Sequence, residues 1–152
     1  MPDQEQIVDA LQNLIEISRD GQSAYRDGAE HVKDPSLKRM LSEISLERAK
    51  FAGDLENEAV RWGHADVVRS GTALAAVQRG WTDLKSSLGG GDDTLLAALE
   101  AGDAAAQREY DRYIRASQLP AEILGIIRNQ AQAVVGTQHW IRALRQQRKK
   151  AA

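Results

Sequence analysis

Apolar positions recur at steps of three and four along most of this chain, the spacing of one face of a helix. Ile7, Leu11, Leu14, Ser18, Gly21, Tyr25, Gly28 and Val32 form one such stripe and predict a helix from about Gln4 to about Val32. Asp3 stands where an N-cap is needed, with Gln6 three residues on. A second stripe, Leu37, Met40, Leu41, Ile44, Arg48, Phe51, Leu55, Ala59 and Trp62, predicts a helix from Pro35 to about Trp62. Asp34 caps it, Pro35 suits its first turn, and Gly63 suits the left-handed residue after its end. The connector around Lys33-Asp34-Pro35-Ser36 is so short that the two helices must be antiparallel neighbours.

Residues 63–91 read differently. His64 to Gly71 is polar, Thr72 to Leu88 carries a shorter helical pattern, and Gly89-Gly90-Gly91 breaks the chain. This segment is expected to be a crossover carrying its own short helix. Asp92 or Asp93 is expected to cap the next long helix, through about Ser117, with Leu95, Leu99, Gly102, Ala106, Glu109/Tyr110 and Tyr113 inward. Leu119-Pro120 opens the last helix, to about Arg145, along Ile123, Ile127, Gln130, Val134, Thr137, Ile141 and Leu144. Residues 146–152 are expected to form a basic tail. No useful length alternates with period two, so no sheet is expected. Two short-linked helix pairs joined by one long crossover predict an all-α fold, a single ferritin-like four-helix bundle over residues 1–152.

Composition narrows the function. A chain of 152 residues with 42% apolar and 28% charged residues suits one soluble domain with a full core. A net charge of −2 argues against a nucleic-acid partner. No apolar run approaches the roughly 20 residues of a membrane span, so no membrane partner is expected. Met1-Pro2-Asp3-Gln4-Glu5 lacks the start of a signal peptide, and a cytoplasmic location is the expectation. With no cysteine there is no disulfide, zinc-thiolate site, iron–sulfur cluster or cysteine nucleophile.

Several short phrases then carry a resemblance. Leu14-Ile15-Glu16, Asp20-Gly21, Val32-Lys33-Asp34-Pro35, Arg48 with Phe51, Arg79-Gly80-Trp81, Glu100-x-Gly102-Asp103 and Tyr110 follow one another in order over nearly the whole chain. In this the chain resembles a bacterial family of uncharacterised ferritin-like four-helix-bundle proteins. The resemblance implies the fold and no activity. Gln78 stands before Arg79 where a histidine is expected in relatives, which weakens any metal role for that motif.

A di-iron site in such a bundle takes a glutamate from each of two helices and Glu-x-x-His from the other two. This chain reads Glu47-Arg48-Ala49-Lys50 on the second helix, with Arg48 on the inward stripe, and has no Glu-x-x-His on the last. Ser18 and Arg48 lie about 15 residues from the first interhelix turn, or roughly 23 Å at about 1.5 Å per residue. Asp103 and Gln130 match about the last turn. Ser18, Arg48, Asp103, Glu109 and Gln130 are therefore expected to form one polar layer across the core. A buried Arg48 needs a partner, which Asp103, Glu109 or Glu47 can supply, with Gln130 adding an amide.

No catalytic residue, metal ligand or cofactor is assigned on this reading. Glu16 is expected on a solvated face or against the crossover through Arg79, with Trp81 packing nearby. His31, His64 and His139 do not cluster on the helical wheel. The three tyrosines are expected in the core or at its boundary. Trp140, read as lying off the stripe, would mark with Ala133 a contact for a homodimer or another protein partner. The expected role is a non-catalytic structural or interaction module. The alternative, a divergent di-iron or manganese oxidoreductase or iron-handling protein, requires at least four of Glu16, Glu47, Glu100, Asp103 and Glu109 to converge.

Overall fold

The computed structural model describes residues 3–63, 81, 84–116 and 118–151. Among them are four long helices: α1 (Gln4–His31), α2 (Pro35–Arg61), α3 (Asp92–Ala116) and α4 (Ala121–Ala151). Residues 84–87 are also helical, and no described residue lies in a strand. Most of residues 63–91, where a crossover with a short helix is expected, lies outside the described residues, Arg79 and His64 included. No helix among the described residues is long and apolar enough to cross a membrane.

The helix ends follow local chemistry. Asp3 and Gln6 form a reciprocal capping box at the start of α1. The Asp34 side chain accepts from the Ser36 amide, and Pro35 takes the first helical position of α2. Gly63 closes α2 with φ +86°, a conformation that penalises any side chain. At α3 the sequence reading is corrected. The helix starts at Asp92, and the cap position falls to Gly91, whose carbonyl accepts from the Leu95 amide. The Asp92 carboxylate reaches instead to the α1–α2 turn, accepting from the amides of Lys33 (2.9 Å) and Asp34 (3.2 Å).

The basic tail is also corrected. Residues 146–151 continue α4 to Ala151. Nothing there breaks a helix, and Arg148 anchors its last turn. Its Nε lies 2.6 Å from Asp93, and its terminal nitrogens 3.8 Å from Asp34 and Asp92. Three cations in the last turn also favour the negative pole of the helix.

α1 packs against α2 and α3, and α3 against α4. Two apolar clusters fill the interior. One gathers Leu11, Leu14, Leu55, Ala106, Tyr110, Ile123 and Ile127 from all four helices. The other gathers Tyr25, Leu37, Leu41, Leu95, Leu99 and Ile141, with Leu84 from the segment between α2 and α3. Burial of these side chains, worth roughly 1.5–3 kcal/mol each, is the main force holding the helices together. Each helix passes from one cluster to the other, and the residues at the passage are polar.

Candidate functional site

Between the clusters α2 contributes Arg48, flanked about two turns away on either side by Leu41 and Leu55, and α3 contributes Asp103, between Leu99 and Ala106. Arg48 is 2% exposed and Asp103 is fully buried. The two form a bidentate pair, with Nη1 donating to Oδ1 at 2.7 Å and Nη2 to Oδ2 at 2.9 Å. The Tyr25 hydroxyl of α1 donates to Asp103 Oδ2. The carboxylate thus accepts three hydrogen bonds. The Arg48 guanidinium also lies 5.0 Å from the centre of the Tyr25 ring, over its face.

A second chain of bonds lies beside this one. Tyr110 donates to Gln130 Oε1 at 2.8 Å, and its hydroxyl stands 3.4 Å from Ser18 Oγ. Ser18 Oγ donates to the Leu14 carbonyl, and Gln130 Nε2 to the Phe51 carbonyl. The four helices are therefore cross-linked at one level: α1 by Ser18 and Tyr25, α2 by Arg48 and the Phe51 carbonyl, α3 by Asp103 and Tyr110, α4 by Gln130.

The charges in the layer are fixed. Burial alone would lower the Arg48 pKa, but the charge and hydrogen bonds of Asp103 more than offset it and raise the value, so the guanidinium stays charged. Burial pushes Tyr25 well above the ordinary tyrosine value, helped by the Asp103 charge and opposed by Arg48. Burial pushes Tyr110 up to about 12, opposed by its hydrogen bond with Ser18 and by Arg48. Both phenols are neutral donors over the physiological range. The guanidinium and the two phenols keep their protons near pH 7, which suits them to positioning rather than proton transfer.

Two glycines make the layer fit. A Cβ on Gly21 would stand 3.2 Å from Arg48 Nη1, so the missing side chain leaves room for the guanidinium. A Cβ on Gly102 would fall 2.2 Å from the Trp81 ring, which takes the space a side chain would need there. Trp81 also meets Tyr25 edge to face, with centroids 6.1 Å apart. The segment between α2 and α3 thus touches the layer through Trp81.

Of the expected layer, Ser18, Arg48, Asp103 and Gln130 are brought together and Glu109 is not. Glu109 is partly exposed and pairs with Arg112 at 2.6 Å. One residue is 100° on a helix, and the inward place falls to Tyr110, seven residues after Asp103. Tyr25 and Tyr110 were legible as inward residues; that their hydroxyls complete the layer was not. Glu16, expected to be solvated or against the crossover, is 5% exposed. α1 is in fact buried at every position from Leu14 to Ser18, which a single apolar stripe does not foretell. The expected Glu16–Arg79 contact falls outside the described residues.

The remaining acids of the metal alternative stand elsewhere. Glu47 is exposed on α2. Glu100 pairs with Arg145 at 2.7 Å and Arg142 at 3.4 Å, between α3 and α4. Asp103 is held by Arg48. Among the described residues no three histidine, aspartate, glutamate or cysteine side chains are grouped as a metal would need. His31 and His139 are exposed and on different helices. Trp140 is half-buried, packed against the second apolar cluster, and with Ala133 it lines an open groove between α2 and α4.

No curated protein matches the chain. A family model described as Domain of unknown function (DUF2383) matches residues 6–116, which takes in nearly all of α1, all of α2 and α3 and the segment between them, and with them Arg48, Asp103, Tyr25 and Tyr110. The chain belongs to this family.

Proposed function

We propose that this protein is a non-catalytic helical bundle of the ferritin-like kind, with its crossover between α2 and α3, acting as a structural or protein-interaction module. A protein-only polar layer stands where related bundles hold two metal ions. The observation that carries this is the bidentate Arg48–Asp103 pair. A fixed guanidinium repels a metal cation and occupies the carboxylate of Asp103. The layer's other members, Ser18, Gln130, Tyr25 and Tyr110, are neutral and poor ligands for iron or manganese, which prefer carboxylate and imidazole sets.

A divergent oxidoreductase or iron-handling protein needs four converging carboxylates. The separate partners of Glu100, Asp103 and Glu109, and the exposure of Glu47, weigh against it. The test is elemental analysis of protein purified without chelator, with melting followed before and after chelator is added. Trace metal and an unchanged Tm are expected. Stoichiometric iron or manganese, or a Tm that drops on chelation, overturns the proposal.

A further inference from the structure

All three exposed large apolar side chains among the described residues, Met40, Leu46 and Val60, are on α2. Leu46 is the most exposed of them, at 71%. It sits among Arg39, Glu43, Glu47, Lys50 and Asp54, which with it fall in a sector of about 100° on the helical wheel. None of these five charged residues takes part in an ion pair among the described residues. Other surface charges do: Arg19 pairs with Glu56, Arg61 with Glu122 and Arg145 with Glu100.

The order of these residues has a symmetry. Read outward from the midpoint between Leu46 and Glu47, Glu43 on one side answers Lys50 on the other, and Arg39 answers Asp54. In these two pairs the positions mirror and the signs invert, while Leu46 and Glu47 straddle the midpoint. A helix with this pattern is complementary to its own copy run antiparallel about a two-fold axis. Beside this face is the groove lined by Met40, Ile44, Gly136 and Trp140. α2 and α4 do not pack closely there, whereas the crossover lies against α1 and α3 through Trp81 and Leu84.

We propose that α2 is the contact face of a symmetric homodimer, with α2 of a second copy antiparallel to it and Leu46 of each chain at the two-fold axis. Glu43 of each chain meets Lys50 of the other, and Arg39 meets Asp54. Four reciprocal ion pairs then flank the axis, where Leu46 of each chain makes the apolar contact, the two Glu47 side chains stand beside it with like charge, and Met40 extends the apolar area toward the groove. A single helix pair buries less than the roughly 800 Å² per partner of a standard stable interface. The dimer is therefore weak and reversible, and its charge pairs make it salt-sensitive. This goes beyond the functional reading above and is independent of metal content.

The experiment is sedimentation of the full chain over a concentration series into the high micromolar range. Wild type should pass reversibly from monomer to dimer. Lys50→Glu places like charges at both symmetric contacts and should weaken dimerisation by roughly tenfold or more. Glu43→Lys should do the same. Both substitutions in one chain restore opposite charges and should return the dimer toward wild-type strength. All these sites are exposed, and circular dichroism checks that each variant keeps its helices. A wild-type chain monomeric throughout overturns the proposal, as does a dimer indifferent to Lys50→Glu. A double variant no stronger than the singles overturns this register.

Discussion

Two arginines in this molecule face carboxylates in opposite settings. Arg48 is fully enclosed at mid-height and meets one carboxylate, Asp103, in a two-bond fork. Arg148 sits in the last turn of α4 with a third of its side chain exposed, among Asp34, Asp92 and Asp93. By count of ion pairs the end cluster is the richer. By energy the order reverses. Water screens the Arg148 cluster, and an exposed pair is worth about 0–1 kcal/mol. The interior screens little, and removing one partner from the Arg48 pair strands a charge that has no water to turn to. Number of contacts is thus a poor guide to which arginine the fold depends on.

The sharpest way to break this comparison is to remove each arginine. Arg48→Ala should cost about 3 kcal/mol or more in urea unfolding, by leaving Asp103 buried with only the Tyr25 hydroxyl. Arg48→Met combined with Asp103→Leu should recover part of that loss, since no charge is then stranded. An Arg48→Ala protein as stable as wild type would refute the burial argument.

Next in size is the packing that encloses the layer. Gly102→Ala drives a methyl group into the Trp81 ring and should cost roughly 1–3 kcal/mol, against a helix-propensity gain of about 1 kcal/mol. In a Trp81→Ala background the same change should be neutral or stabilising. Equal costs in both backgrounds, in a double-mutant cycle, would show that Trp81 does not lie against Gly102 in solution.

The tyrosines give a smaller, pH-dependent effect. Tyr110 keeps its proton in the folded state up to about pH 12, while an unfolded tyrosine loses it near pH 10. The folded state binds more protons between these values. The contribution is therefore fully present below about pH 10 and is lost as pH rises toward 12, at up to about 1.4 kcal/mol per pH unit for this group. Urea unfolding at stepped alkaline pH measures it, and Tyr110→Phe should flatten the slope. A slope unchanged in that variant would assign the loss elsewhere.

Arg148→Ala should have the smallest effect, about 1 kcal/mol or less, and it should shrink further in high salt. Its signature is local: faster amide exchange over residues 146–151. The Asp93 hydrogen bond, which does most to raise the Arg148 pKa, with the charges of Asp92 and Asp34 adding to it, keeps that side chain charged at any ordinary pH. A loss rivalling that of Arg48→Ala would overturn the ranking.

Most of the all-helical architecture was legible in the chain because helix formation here depends on local spacing. The stripes, the Asp3 and Asp34 caps and Gly63 mark three ends within a residue or two. The end of α4 was misjudged because its anchor, Arg148, binds carboxylates 55 and more residues away. The cap of α3 was misassigned for a related reason: Asp92 satisfies amides of a distant turn rather than its own helix. Level-matching brought Ser18, Arg48, Asp103 and Gln130 together. It placed Glu109 wrongly, because a level fixes height along a helix and leaves rotation to be settled by 100° per residue.

The sequence by itself determined that the chain is helical, that Arg48 faces inward and that no cysteine chemistry is available. Only the tertiary structure decided which carboxylate Arg48 takes, that Tyr25 and Tyr110 finish the layer, and that Trp81 lies against Gly102. The physical reason is one of range. Periodicity and caps act over a few residues of chain, whereas desolvation and hydrogen-bond satisfaction act between whichever groups the packing brings into contact.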